Sequence, residues 1–443
     1  MSLIWCEQAW LAGGPADAVA LEIVDGRIAA VTPGAPRHGT VLPGLTVPGL
    51  VNRHSHAFHR ALRGHPARAA GSFWSWREGM YRVAAALDPD GYRALATAVY
   101  AEMALAGHTA VTEFHYLHHA PGGRPYADPL AMDRALVDAA AAAGLRLTLL
   151  DTCYLAPGMG RAGSGRAPEG VQRRFADADV EAWAARAALV AELDDGAGDL
   201  GGCVRVGAAI HSVRAVPRDA LPAVAAWARG RPLHVHLSEQ PDENDACLAA
   251  HGCTPTALLD DAGALGPATT AVHATHLTDD DVARLARTCA RACFCPTTER
   301  DLGDGIGPAG ALAEAGVPLC LGSDSHAVVD PFEEMRALEM HERLRHGVRE
   351  RFMPGELLRA GTDGAEIAVG VPADLVTVDT ASVRTAGARS DGVLLAASAA
   401  DVREVRVGGR LIVRDGVHQL VERPAARLAA EIGALHARAQ EAA

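Results

Sequence analysis

The sequence predicts an α/β fold: a (β/α)8, TIM-like barrel with a small β-sandwich domain assembled from both ends of the chain. Three observations carry this. Between residues 46 and 371, eight apolar, strand-like runs alternate with helical patterns. Both flanks, 1–45 and 372–421, read as short strands and turns. Four short motifs then each close a strand-like run: His54-Ser55-His56, His236-Leu237-Ser238-Glu239, His273-Ala274-Thr275-His276 and Gly322-Ser323-Asp324-Ser325-His326. In a parallel barrel, side chains just past the strand ends converge on one mouth. The same motifs therefore predict a fold and a hydrolytic site.

In chain order, Asp25-Gly26-Arg27 separates Ala18–Val24 from Ile28–Val31 as a hairpin turn. The barrel strands are expected over Thr46–His54, Thr109–Tyr116, Leu145–Tyr154, Val204–His211, Pro232–Glu239, Thr270–His276, Arg291–Thr297 and Val317–Ser325. Helical patterns over Gly91–Ala106, Ala131–Ala143, Val180–Leu193 and Asp279–Arg287 separate several of them. Ala156–Gly170 is rich in glycine and proline and reads as a loop. Ala373–Val378 and Val405–Val413 return to strand character, and the alanine-rich tail, 422–443, reads as a helix.

A net charge of −13 argues against nucleic acid and anionic membranes as partners. No apolar run is long enough to span a bilayer, and Met1–Trp10 carries Glu7 but no basic residue, unlike a signal peptide. Nine scattered cysteines form no disulfide framework and fit a reducing cytoplasm. Cys289, Cys293 and Cys295 are close in sequence, but buried thiols explain them better than a metal lacking a fourth ligand. All 41 basic residues are arginine. Without lysine there is no Schiff base, no phosphate-loop lysine and no carbamylated lysine bridging two metals.

Residues two apart on a strand face the same side, so His54 and His56 can reach one metal. His234 and His236 alternate likewise; His236, nearer the strand end, is assigned to the metal and His234 to the barrel interior. Glu239 at the mouth is either a proton shuttle or a loop carboxylate in a surface pair. His273 is either a site residue or a core histidine. Asp324 can bind metal or orient a water, with His326 behind it. His54, His56, His236 and Asp324 form a nitrogen and oxygen set suited to one divalent ion, zinc first, with iron or manganese also possible. Glu113, His115, Tyr116, His211 and Arg214 add polar groups at other strand ends. His118 and His119 suit exposed loop histidines better than a second metal site. Ser72–Glu78 holds three aromatics beside Arg77, as helix packing or as a cap on the pocket. Arg77 and Arg214 together offer two guanidinium forks for two carboxylates, although either alone suits a solvated surface charge.

This order of motifs resembles the amidohydrolase superfamily in its mononuclear deaminase branch. Asn52–Phe58, Phe73–Glu78, Glu113–His119, His211–Val216 and Leu302–Gly305 narrow the resemblance, over roughly residues 45 to 350, to the deiminases of formimino-glutamate. The resemblance implies that His54, His56, His236 and Asp324 hold zinc. It also implies that Glu239, His273 and Asp324 handle the attacking water, the protons and the scissile group. Arg77, Tyr116, His211 and Arg214 would bind the glutamyl part of a small dicarboxylate substrate, with His59 expected to touch it as well. The implied reaction converts N-formimino-L-glutamate and water to N-formyl-L-glutamate and ammonia, in histidine degradation, by a homodimer. Two departures fall where substrate choice would be set: His59 stands where that family usually has glutamine, and Glu299-Arg300-Asp301 where it reads Glu-Ala-Asn.

The competing expectations are a mononuclear deaminase acting on another formimino compound or a cyclic amidine such as a purine or pyrimidine, a binuclear hydrolase, and a non-catalytic metal-binding or regulatory barrel. The missing lysine weighs against the second, and the pairing of Glu239 with Asp324 against the third.

Overall fold

The computed structural model describes residues 1–64, 73–159, 167–194 and 203–441, without the side chains of 73–75. Part of the expected cap (Ser72 and the side chains of Phe73, Trp74 and Ser75), residues 160–166 of the expected loop, and the last two residues of the tail lie outside what is described.

Eight parallel strands form the barrel: β1 (Leu50–Ser55), β2 (His108–His115), β3 (Arg146–Cys153), β4 (Val204–Ile210), β5 (Leu233–Leu237), β6 (Thr269–His273), β7 (Arg291–Phe294) and β8 (Leu319–Leu321). Each pairs in parallel with the next in sequence. The seam closes past β8, where Ser323 and Asp324 donate their N–H groups to the His54 carbonyl at 3.1 and 2.9 Å. Gly322 is required at that seam, because a Cβ there would lie 2.7 Å from the Cβ of His54.

The chain departs from the expected first strand at Pro48-Gly49. Thr40–Pro48 belongs to a separate sheet, and the barrel strand begins only at Leu50. A side chain at Gly49 would strike Thr109 Oγ1 at 2.2 Å, so glycine lets the chain cross from one sheet to the other. Several barrel strands also end earlier than expected. Ser238, His273 and Asp324 turn into the left-handed region (φ 49°, 67° and 38°), and Pro296 opens the helix Pro296–Leu302 where strand was expected to reach Thr297.

Both termini build one mixed sheet of eight strands, in the order 417–418, 410–414, 402–407, 375–378, 40–48, 2–11, 14–24, 27–32. Leu375–Val378 lies antiparallel to Thr40–Pro48 and joins the two ends of the chain. The small domain is one mixed sheet whose two halves approach each other: a Cβ on Gly409, between strands 402–407 and 410–414, would come within 3.1 Å of Ile23 in strand 14–24. Asp25 and Gly26 form its tight hairpin with φ of 48° and 72°, both left-handed as such a turn requires. The tail helix Pro424–Glu441 packs on helices Phe73–Ala86 and Pro89–Leu105, burying Leu428 and Leu435, and His436 Nε2 donates to the Ala61 carbonyl at 2.8 Å. Cys293, Cys295 and Cys320 are buried together beside Val272, whereas Cys289 is exposed; all nine cysteines are free thiols. Among the described residues no helix is long and apolar enough to cross a membrane.

Candidate active site

The strand ends bring four side chains to one point. Asp324 Oδ1 lies 3.1 Å from His54 Nε2 and 3.2 Å from His56 Nε2. His236 Nε2 lies 3.0 Å from His54 Nε2 and 3.3 Å from His56 Nε2. Backbone carbonyls choose the tautomers: His56 Nδ1 donates to Phe114 O at 2.9 Å, and His236 Nδ1 to His211 O at 2.8 Å. Both rings, in their neutral form, therefore turn Nε2 lone pairs toward each other, and His56 Nε2 also faces the Asp324 carboxylate. Such lone pairs repel unless a cation sits among them, and a carbonyl on the far nitrogen is how metal-binding histidines are oriented. The residues fit a divalent ion.

His273 stands beside this group, its ring nitrogen within 4.8 Å of the ligand atoms of His54, His236 and Asp324. It occupies a tight turn, with Ala274 N–H bonded to Val272 O at 3.0 Å around a left-handed φ of 67°. Such backbone costs on the order of 1–3 kcal/mol and persists where surroundings enforce it, often at functional sites. Its Nε2 faces Glu239 Oε1 at 3.8 Å and its Nδ1 faces Glu299 Oε1 at 3.4 Å. Burial alone would lower its pKa, but Glu239, Glu299 and Asp324 outweigh burial and push it up to about 10.

One pocket is lined by His56, His59, Arg77, Tyr116, His211, Arg214, His236, Glu239, His273 and Asp324, with Trp76, Tyr81 and Tyr154 completing its aromatic wall. His54 lies behind the lining, fully buried. The sequence-predicted site residues thus converge on one cavity. Arg77 stacks over the Tyr81 ring at 5.5 Å, and both Arg77 and Arg214 act electrostatically on Tyr154 and His211. Neither arginine is a stray surface charge. His59 Nε2 shares a 2.7 Å hydrogen bond with Tyr116 Oη, and its ring packs on His56 and Trp76.

Four acids support the site; Glu113, Glu299 and Asp304 lie in segments noted in the sequence without an assigned role, and Glu243 lies in none of them. Glu113 receives Ser55 Oγ at 2.7 Å and Ala57 N–H at 2.6 Å, and so ties the His-Ser-His segment to β2; burial pushes its carboxyl up to about 7. Glu299 holds His273 and the Cys295 N–H. Asp304, beside Glu239 and His273, accepts from Gln240 Nε2, and burial with the Glu239 charge raises it to about 8. Glu243 lies beside Arg214. Asp304 sits in the noted Leu-Gly-Asp-Gly segment, and Glu243 follows Glu239 by four residues, in the helix that opens at Pro241; those were the available signals.

His118 and His119 are not the exposed loop residues expected. His118 is buried, taking Arg186 Nη1 on Nδ1 at 3.0 Å and facing Thr152 O with Nε2 at 3.2 Å. His119 Nε2 faces Asp177 at 3.3 Å. Both belong to a charge network in which the buried Arg186 joins Asp151 and Asp177. His115 and Asp133 adjoin it, but both nitrogens of His118 are already engaged.

Residues 45–411 match the Amidohydrolase family, and the chain belongs to that family of hydrolases. It is 38% identical to the formimidoylglutamate deiminase of Pseudomonas aeruginosa over 462 aligned positions, covering 98% of this chain and 100% of that protein. It is 30% identical to the 8-oxoguanine deaminase of the same organism, covering 84% of this chain and 83% of the relative. The crystal structure of an amidohydrolase from Brucella melitensis matches with a TM-score of 0.89 at 32% identity, over 98% of this chain and 100% of that one.

Proposed function

We propose that the protein is a metal-dependent hydrolytic deiminase converting N-formimino-L-glutamate and water to N-formyl-L-glutamate and ammonia. The observation that carries this is the dipolar pocket: the carboxylates of Glu239 and Asp324 at the barrel end, Arg77 and Arg214 in the same lining. A substrate with a cationic amidine at one end and two carboxylates at the other matches it charge for charge. The 38% identity to a formimidoylglutamate deiminase supports the same reading.

In this reading His54, His56, His236 and Asp324 hold one divalent ion, zinc or else iron, which supplies an acidified water at neutral pH. Glu239 accepts a proton from the water and delivers it to the terminal nitrogen of the formimino group. The water oxygen bonds to the formimino carbon, the bond to that nitrogen breaks, and ammonia leaves. His273 and Asp324 orient the attack. Arg77, Arg214, Tyr116, His211 and His59 bind the glutamyl part. The reading also takes the two chain ends, 1–48 and 372–421, as one domain, the expected boundary at 45 moving to Pro48 because Thr46–Pro48 pairs in the terminal sheet, with the catalytic barrel up to 371 and 422–443 as a terminal helix. It places the protein in histidine degradation, in the cytoplasm, as a homodimer.

Ammonia release measured across N-formimino-L-glutamate, N-formimino-L-aspartate, guanine, cytosine and adenosine tests this. Turnover of the first at a kcat/KM well above the others is expected. Turnover confined to a nucleobase or nucleoside would overturn the assignment in favour of another deaminase of the family.

A further inference from the structure

Glu243 is buried at the start of helix Pro241–His251, at 2% exposure. Neither of its carboxylate oxygens makes a full hydrogen bond among the described residues, and the Glu239 backbone and Arg214 act on it more weakly. Arg214 Nε, also buried and unpartnered, lies 4.0 Å from Glu243 Oε1. A buried carboxylate and a buried N–H left unmatched are each costly, and here they face one another. The rest of Arg214 reaches the pocket, where its side chain is 24% exposed. A guanidinium carries its donors on fixed edges of one plane, so an acid that holds one edge determines where the others point. Glu243 also belongs to the segment of the base: burial pushes its carboxyl up to about 7, against the pull of Arg214 and of the Glu239 backbone.

We propose that Glu243 is a positioning residue for substrate recognition: its carboxylate holds the Nε edge of Arg214, so that the remaining donors of that guanidinium are presented to an anionic group of the substrate. Glu243 lies four residues after Glu239, at the start of the helix that follows it, and so ties the anion clamp to the segment of the proton-transfer group. The inference rests on the reading of Arg214 as a carboxylate clamp.

The test compares wild type with E243Q, E243D, R214M and the double variant E243Q/R214M. Metal content and thermal midpoint are recorded for each. Turnover is measured with N-formimino-L-glutamate, and binding of N-formyl-L-glutamate is followed by tryptophan fluorescence, since Trp76 lines the pocket. E243Q is expected to weaken binding and raise KM by about tenfold, the scale of one charge-assisted hydrogen bond, with kcat lowered no more than about threefold. E243D should recover part of the loss, and E243Q should add nothing in the R214M background. If R214M weakens binding but E243Q does not, or if their effects multiply, the inference falls and the clamp stands. If R214M binds N-formyl-L-glutamate as wild type does, the clamp reading falls and takes this inference with it.

Discussion

His56 and His236 face each other through their Nε2 atoms at 3.3 Å while both Nδ1 atoms are engaged by backbone carbonyls. Neither ring can relieve the contact by switching tautomer without breaking its carbonyl hydrogen bond. Two facing lone pairs are reconciled by a positive charge between them, and the adjacent Asp324 supplies the compensating negative charge that favours a metal ion there.

This arrangement predicts the response to metal removal. Dialysis against a strong chelator should abolish ammonia release, and zinc should restore it. H236A should lower bound metal, read by elemental analysis, and cut kcat/KM by several orders of magnitude. An H236A protein that keeps both metal and turnover would remove His236 from the ligand set.

Glu239 is predicted to act on protons and not on metal. E239Q keeps the side chain's shape beside His273 and should retain metal. It should lower kcat by about 10²- to 10⁴-fold, the usual worth of a positioned acid or base. Turnover near that of wild type would exclude Glu239 from proton transfer. E239Q also removes the anion nearest His273 Nε2, so a fall in the imidazolium pKa, followed by NMR, is a second expected signature.

The barrel was legible because its strands are short apolar runs set between 3.6-period helices, and because glycine, proline and strand-end histidines punctuate them. The crossing at Gly49 was not legible. Thr46–His54 reads as one apolar strand with a Pro48-Gly49 bend, and only the proximity of Thr109 shows that the chain changes sheets at that bend. The pocket residues could be read because imidazoles and guanidinium groups are rare enough at strand ends to stand out. Glu113, Glu299, Asp304 and Glu243 are ordinary acids in sequence and gain meaning only from the tertiary neighbours that bury them. His118 misled for the same reason: its partner Arg186 is 68 residues away.

Asp401 gives the small sheet a predictable acid limb. Burial would raise its carboxyl, but Arg384, donating Nε and Nη2 at 2.8 Å each, Ser382 and the Ser398 N–H bring it down to about 2. A carboxyl depressed in the folded state stabilises above its unfolded pKa, about 3.9, and loses that contribution as pH falls toward the folded value. The thermal midpoint should therefore drop between about pH 4 and 2. D401N should be less stable at pH 6 and show a shallower drop; a curve parallel to wild type would exclude this ion pair as a contributor.

Arg186 is predicted to matter for stability more than any surface charge. It is the cation among Asp151, Asp177 and Asp133, and its removal leaves buried carboxylates uncompensated. R186M should destabilise the fold by about 3–5 kcal/mol in denaturant titrations near neutral pH. Burial, with the neighbouring Asp133 and Asp177, already raises Asp151 to about 7, so protonation below that value should ease the defect. A loss under about 1 kcal/mol would place the network in the weak class of solvated ion pairs.

His59 is where substrate choice should respond to a single substitution. Its ring is buried, which holds its pKa well below the ordinary value, so it is neutral when it meets Tyr116 Oη at 2.7 Å. A glutamine offers an amide in place of the ring and gives up the edge contact with Trp76, 5.1 Å between centroids. H59Q should keep metal and kcat while changing the preference for N-formimino-L-glutamate over N-formimino-L-aspartate by about three- to tenfold, the scale of one misplaced contact in a pocket. Y116F separates the two partners: if the hydroxyl serves His59 alone, H59Q/Y116F should behave as H59Q does. An unchanged preference in H59Q would place His59 outside the substrate-binding set and leave selectivity to Arg77, Arg214 and His211.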